Sequence, residues 1–282
     1  MKKIIKLTGL IVLIVFSFFY TDKVVEVIRE NDNLMLELKK VKDLYKVDAV
    51  NATINNNTII PGLNGRSINV EKSYKRMREI GIFDNSLIEY DIIKPKVSLE
   101  DNKDKFITSG NNNKQMVSII FILEDDKYLE RLEDIAISKE FFVNYFVSYD
   151  YLVSNSTIIA NMKNREIYNY GDNGKYTPDN LIFANNLISR ITKNNAIYCL
   201  SSKRSSSTIK LCSDNELYTI SPNIVVENNP YSEVKDKVSS GSIILMNMNN
   251  DTITEIGIIV DYIRGKGLKI GALSSLLSEN LE

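Results

Sequence analysis

The chain has no histidine among its 282 residues. Histidine is the usual neutral nitrogen ligand for zinc and the usual proton carrier near pH 7. Its absence puts metal-hydrolase chemistry, and any histidine-activated nucleophile, at a disadvantage from the start. Cysteine is nearly missing too: Cys199 and Cys212 alone cannot build a zinc cluster. Two buried thiols are the simpler reading, and a disulfide is the reading if the chain is exported. A net charge of -1 excludes a global attraction to nucleic acid or anionic lipid. Glycine-rich phosphate loops, Cys-x-x-Cys pairs and a Gly-x-Ser-x-Gly elbow are all absent, and Ser205-Ser206-Ser207 has no histidine to activate it. No cofactor and no nucleic-acid partner is implied.

What is present is apolar and asparagine-rich. Hydrophobic residues make up 44% of the chain, enough to bury a core in one large domain or two small ones. Lys2, Lys3 and Lys6 precede a nearly all-apolar run over 7–20. The basic flank predicts a single-pass anchor in the cell membrane over 1–23, with its amino end cytoplasmic and the rest extracytoplasmic. A cleaved signal peptide is the competing reading, but Ser17-Phe18-Phe19-Tyr20 is too bulky for a small-x-small cleavage site. Residues 22–46 are charged and helix-prone, a membrane-proximal stalk or a helix docked on a domain, and 51–57 reads as a linker. Asn64-Gly65 between apolar runs predicts a hairpin. Asn69 caps a helix that Gly81 stops. These pieces form a juxtamembrane helix, linker and small α+β region over 24–110.

From residue 117 strands and helices alternate. Strands are expected at 117–123, 140–147, 166–169, 196–200, 217–220 and 224–226, with helices at 126–138, 151–163, 179–193 and 205–213 between them. The last unit starts with the apolar run 243–246, short enough for a strand buried on both faces. Thr252 and Glu255 have capping-box spacing. Ile253, Ile256, Val260 and Ile263 then share a helical face. A strand at 269–271 and a helix opening at Ser274 follow. Repeated alternation implies parallel strands with helices outside, in an open sheet or a closed barrel.

The end of the chain resembles a family. Gly241-Ser242-Ile243-Ile244-Leu245-Met246-Asn247, then a helix, then Leu273-Ser274-Ser275-Leu276-Leu277, is similar to the close of a polysaccharide deacetylase domain (NodB homology, carbohydrate esterase family four). There a Gly-x-Ile-x-Leu-x-His strand precedes a Leu-Ser-x-Leu-Leu helix. Residues 140–147 resemble that family's Ala-Thr-Phe-Phe-Val strand, and 164–170 its Gly-His-Glu-Ile-Gly-Asn-His. The resemblance implies a distorted (β/α) barrel over 111–282.

It also implies a divalent metal held by one aspartate and two histidines, with a second aspartate as base and a later histidine as acid. At each of these positions the sequence departs. The paired aspartates fall on Ile122 and Leu123, the metal histidines on Tyr170 and Gly174, and the acid histidine on Asn247. The Arg-x-Pro-x-Gly motif maps onto residues 200–204 without its prolines or glycine. Asp125 and Asp126 read as a solvated helix start, or as a shifted carboxylate pair. Lys203 and Arg204 read as a solvated loop, or as holding an anionic or sugar group. The expected protein is a pseudoenzyme with no catalytic residue and no metal. Its barrel mouth, lined by Tyr170, Asp172, Asn173, Lys203, Arg204, Asn223 and Asn247, would bind cell-wall polysaccharide or an envelope protein. An active deacetylase with an all-oxygen site, and a purely structural envelope component, are the alternatives.

Overall fold

The computed structural model describes the backbone of residues 2–281 and, within the first helix, excludes the side chains of 2–10, 12, 18 and 22. The chain opens with α1 (Lys2–Glu30), α2 (Asn33–Val41), β1 (Thr53–Asn55), β2 (Thr58–Ile60), β3 (Gly65–Ile68), α3 (Val70–Arg78), β4 (Tyr90–Ile93) and β5 (Phe106–Ile107). It continues through β6 (Met116–Leu123), α4 (Leu129–Ser138), β7 (Asn144–Ser148), α5 (Tyr149–Ser154), α6 (Ser156–Asn161), β8 (Glu166–Gly171) and α7 (Pro178–Thr192). Then come β9 (Tyr198–Leu200), α8 (Ser206–Asp214), β10 (Tyr218–Ile220), β11 (Ile224–Val225) and α9 (Pro230–Lys237). The last elements are β12 (Ile243–Asn247), α10 (Asn250–Gly265), β13 (Lys269–Ile270) and α11 (Leu273–Leu277). They fall into two compact units, Met1–Ala49 with Asn64–Lys94, and Val50–Leu63 with Pro95–Glu282.

In the smaller unit, Asp32 stops α1 from running into α2: its carboxylate accepts the Leu34 amide at 2.8 Å, a helix cap. Leu34, Met35 and Leu38 of α2 then pack with Ile68, Tyr74, Met77 and Ile88. Of the two readings for 22–46, the docked helix is the one observed for α2. Asn69 caps α3 as expected, accepting the Lys72 amide at 2.8 Å, and Gly81 takes a left-handed φ of 72° beyond it. The expected anchor rests mostly on side chains outside the described residues. Among the described residues no helix is long and apolar enough to cross a membrane.

The expected hairpin at Asn64-Gly65 is not formed. A Cβ on Gly65 would lie 2.3 Å from the Val47 carbonyl oxygen. The glycine is there to let two backbones approach, bonded as Val47–Arg66, rather than to turn. The hairpin lies earlier, where Asn56 with φ of 53° joins β1 to β2, inside the stretch read as a linker. The boundary expected at residue 110 falls inside the larger unit, because β1, β2 and β5 extend its sheet.

That sheet runs β1-β2-β5-β10-β9-β8-β7-β6-β12-β11, with β13 also on β6, and every pairing except β1–β2 is parallel. It curls into a half-barrel of the expected type. As in any parallel sheet, both faces are covered. The outer face carries Phe121, Leu123, Tyr145 and Val147 under α4 and α10, which buries Ile253, Ile256, Ile259, Val260 and Ile263. The inner face carries Ile120, Phe146, Tyr168, Tyr198 and Leu245, closed from below by Leu273, Leu276 and Leu277 of α11. Buried Asn144 fixes that plug: its amide donates to the Ile119 carbonyl at 2.9 Å and its oxygen accepts the Leu273 amide at 2.8 Å.

Three local differences have local causes. The helix expected over 151–163 breaks at Asn155 into α5 and α6. The Thr252/Glu255 capping box is absent, because Asn249 caps α10 by accepting the Thr252 amide at 2.9 Å, while Glu255 accepts the Tyr231 amide at 2.8 Å. The α9 helix escapes a reading by apolar periodicity because only Pro230 and Val234 of it are buried.

Candidate functional site

Parallel strands bring their carboxyl ends to one rim. In β6 and β12, Ile122 pairs with Asn247, and across to β7 Ile122 pairs with Phe146, so these residues share one level near the mouth. Side chains alternate along a strand, so neighbours face opposite ways. Ile122 is half-buried against the inner cluster together with Tyr170, whereas Leu123 is fully buried in the outer one. One former carboxylate position therefore faces the barrel interior and the other the helix layer.

Tyr170, next to last in β8, is half-buried. Burial, and then the negative charge of Glu124, raises its phenol above the usual range, so it remains a protonated donor. Glu124, which takes the glycine position of the first motif, is itself raised by burial and by the charge of Asp125. Beyond Tyr170 the chain makes a tight two-residue turn. Asp172 and Lys175 exchange both backbone bonds at 2.8 Å, with Asn173 at φ 47° and Gly174 at φ 76°. A Cβ on Gly174 would sit 3.2 Å from the Tyr170 hydroxyl oxygen.

The next residue closes a gap. Strands β8 and β9 are paired only at Asn169–Cys199. The Tyr176 hydroxyl fills the opening, donating to the Asn169 carbonyl at 2.9 Å and accepting the Leu200 amide at 2.9 Å. Its ring is half-buried but its hydroxyl is enclosed, and that burial raises its pKa.

Lys203 and Arg204 follow β9 on the same rim and are exposed; the Arg204 Nε donates to the Ser221 hydroxyl at 3.2 Å. Asp172 and Asn173 are exposed on their turn, and Asn247 is exposed at the end of β12. Asn223 is not brought to this mouth. It precedes β11, whose Ile224 pairs with Ile244, and its oxygen accepts the Ile243 amide at 2.8 Å, at the amino end of β12. The β11 strand is two residues long, so a residue before it cannot reach the far rim. Glu124 and Tyr176 were not singled out by the sequence; the Asn-Gly pair just before Tyr176 was the available signal.

Asp125 and Asp126 are exposed, and the Asp125 carboxylate accepts the Lys127 amide at 3.0 Å, as a solvated helix approach does. Among the described residues no group of three or more His, Cys, Asp or Glu is arranged to hold a metal. The donor set does not fit the divalent metal that the resemblance implies. Two aliphatic side chains, a protonated phenol and a glycine stand at the ligand positions, and Asn247 can exchange hydrogen bonds but cannot carry a proton near neutral pH. Behind the rim, Cys199 of β9 and Cys212 of α8 form a buried disulfide.

No family profile matches the chain. It is 24% identical to the uncharacterized protein YlxY of Bacillus subtilis (strain 168), over 90% of this chain and 86% of that one. The structure of BA3943 from Bacillus anthracis, described as a CE4 family pseudoenzyme, is similar with a TM-score of 0.68 and 24% identity, over 89% of this chain and 97% of that one. A BA3943 mutant described as having restored enzymatic activity gives a TM-score of 0.67 at 24% identity, over 89% of this chain and all of that one (100%). A family 4 carbohydrate esterase from Bacillus anthracis gives 0.52 at 19% identity, over 61% of this chain and 87% of that one. The chain therefore has the fold of the polysaccharide deacetylases, the family 4 carbohydrate esterases, with other residues at the positions of their metal ligands and catalytic groups.

Proposed function

We propose that the protein is a membrane-anchored, extracytoplasmic pseudoenzyme whose barrel mouth binds cell-envelope glycan without hydrolysing it. The observation that carries this is the substitution of the mouth itself. Ile122, Tyr170, Gly174 and Asn247 stand there in place of metal and proton-transfer groups, while the rim keeps an aromatic face, amides and cations. A half-buried phenol and an exposed amide suit the hydroxyls and acetamides of a sugar chain, which need hydrogen bonds and a ring face rather than a proton carrier. The likeness to BA3943, a protein described as a pseudoenzyme, supports inactivity. The disulfide supports an oxidising compartment outside the cytoplasm. The lysine-flanked apolar run over 1–23 supports the anchor.

The test is binding of the purified full chain to N-acetylglucosamine oligomers and peptidoglycan, with metal analysis and acetate release followed in parallel. Saturable binding that falls at least tenfold in Tyr170→Ala and Asn247→Ala, with no acetate released, is the expected result. Acetate release would overturn the pseudoenzyme reading. Absence of binding to either glycan would overturn the glycan reading and leave an envelope protein as the partner.

A further inference from the structure

The smaller unit carries a surface that the glycan-binding mouth does not use. After α3, Gly81 turns the chain with a left-handed φ of 72° and displays Ile80 and Ile82 on either side, 52% and 65% exposed. The exposed face of α3 leading to that turn carries Lys72, Lys75 and Arg78, and none of the three has an ion-pair partner among the described residues. The neighbouring charges are largely accounted for. Arg76 is paired with Glu89 and Glu71 with Arg29 at 3.0 Å; the acidic residues left near the turn are Glu79 and Asp84, whose carboxylate accepts from the Ser86 amide and hydroxyl at 2.8 Å. Basic residues in a last helical turn offset the dipole of the helix, but that does not explain Lys72 or two isoleucines held in water.

We propose that this turn and the basic face of α3 form a docking surface for anionic lipid headgroups. The chemistry is that of an interfacial anchor: apolar side chains that enter the headgroup layer, ringed by cations that meet its negative charge. The proposal rests on the reading of residues 1–23 as an anchor. Arg29 lies about 9 Å along α1 beyond residue 23, and α3 is about 13 Å long from its start beside Arg29 to the turn. The end of α1 mixes charged Lys23, Glu26, Arg29 and Glu30 with exposed apolar side chains, Ile28 being 67% exposed.

The chain contains no tryptophan, so Ile82→Trp places a single indole reporter on the turn. The full-length variant is added to vesicles of phosphatidylcholine alone, and to vesicles of equal parts phosphatidylcholine and phosphatidylglycerol. On the reading given, the chain associates with both, but the indole emission shifts to the blue and is quenched by bromine-labelled lipid only on the anionic vesicles. Lys75→Gln with Arg78→Gln lowers the docked-to-undocked ratio about 25-fold, at roughly fivefold for each cation brought near the surface. Association with both vesicles without a spectral shift overturns the docking surface and leaves the anchor standing. A shift of equal size on neutral vesicles overturns it as well, since charge would then play no part. A shift on anionic vesicles, with no association to neutral ones, keeps the surface and overturns the anchor. No association with either vesicle overturns both.

Discussion

Ile122 and Leu123 stand where the resembling family has two aspartates, yet the fold treats them oppositely, and that difference can be measured. Leu123 is fully buried against Phe121, Leu132 and Val147 in the helix layer. Leu123→Asp forfeits about 1.5–3 kcal/mol of burial. It also buries a carboxyl in an apolar cluster, which costs several kcal/mol more, whether it ionises or stays protonated by a raised pKa. A total of about 5 kcal/mol or more is a large part of the 5–15 kcal/mol that holds a domain together. For a domain of this size it lowers the melting temperature by roughly 10–20 °C. Ile122 is half-buried at the mouth, so Ile122→Asp keeps one side in water and costs about 1–2 kcal/mol. Thermal and urea melts of the two single variants, without added metal, make the comparison. If Leu123→Asp costs no more than Ile122→Asp, the assignment of the two side chains to opposite faces is refuted.

Reducing the Cys199–Cys212 bridge, or replacing both residues by serine, should cost about 3 kcal/mol, since it closes a loop of 13 residues; a thiol assay should count none before reduction and two after. Tyr176→Phe leaves the Asn169 carbonyl and the Leu200 amide unpaired, and should cost about 1–3 kcal/mol while speeding hydrogen exchange at Leu200; unchanged exchange would mean that the hydroxyl is not the bridge. Glu124 has its folded pKa raised, so its contribution to stability is fully present below the unfolded carboxyl range and is lost as pH rises through the folded value. Glu124→Gln should therefore raise the melting temperature at neutral pH, and the gain should vanish in acid; a gain independent of pH would rule out charge as its cause.

The elements most legible in the sequence were those whose partners lie close in the chain or whose apolar pattern has one meaning. The run Ile243–Met246 reads as a doubly buried strand and is one. Asn69 and Gly81 bracket a helix because capping is decided within a few residues. What could not be read depends on distant neighbours. Gly65 looks like a turn until the Val47 backbone is seen against it. Glu255 looks like a capping residue until Tyr231 of another helix takes its carboxylate. The extra strands β2 and β5 are too short to show a period, and only their pairing with each other and with β10 places them in the sheet. Asn223 is expected at the mouth with the other polar residues, but no local pattern shows that it sits before β11, at the amino end of β12. Tyr176 reads as an ordinary loop aromatic, since no local pattern reveals that two strands part beside it.

The same dependence on backbone decides whether the lost metal site could be rebuilt by substitution. Tyr170→His puts an imidazole where β8 bulges, since Val147 pairs with Asn169 and Ser148 with Gly171, and asks only that a smaller ring replace a phenol. Gly174→His is different, because residue 174 has φ of 76° in a two-residue turn that Asn173 enters at 47°. A residue with a Cβ held in that region costs about 1–2 kcal/mol in backbone strain. The new Cβ would also sit 3.2–3.4 Å from the end of the Tyr170 ring, a contact that ends only if position 170 changes too. Tyr170→His therefore relieves the contact but not the strain, and the double variant should still melt lower than Tyr170→His alone by about that amount. A histidine on a turn fixed by the Asp172–Lys175 bonds cannot swing to meet Asp at Ile122 or Leu123 unless those bonds open. The variant carrying Asp at 122 and 123 with His at 170, 174 and 247 is expected to bind zinc weakly and to melt below the natural protein whether or not zinc is present. Calorimetric zinc titration beside a melt decides it: tight stoichiometric binding that restores stability would mean that the Asp172–Lys175 turn yields, and that the backbone has kept the shape of a metal site.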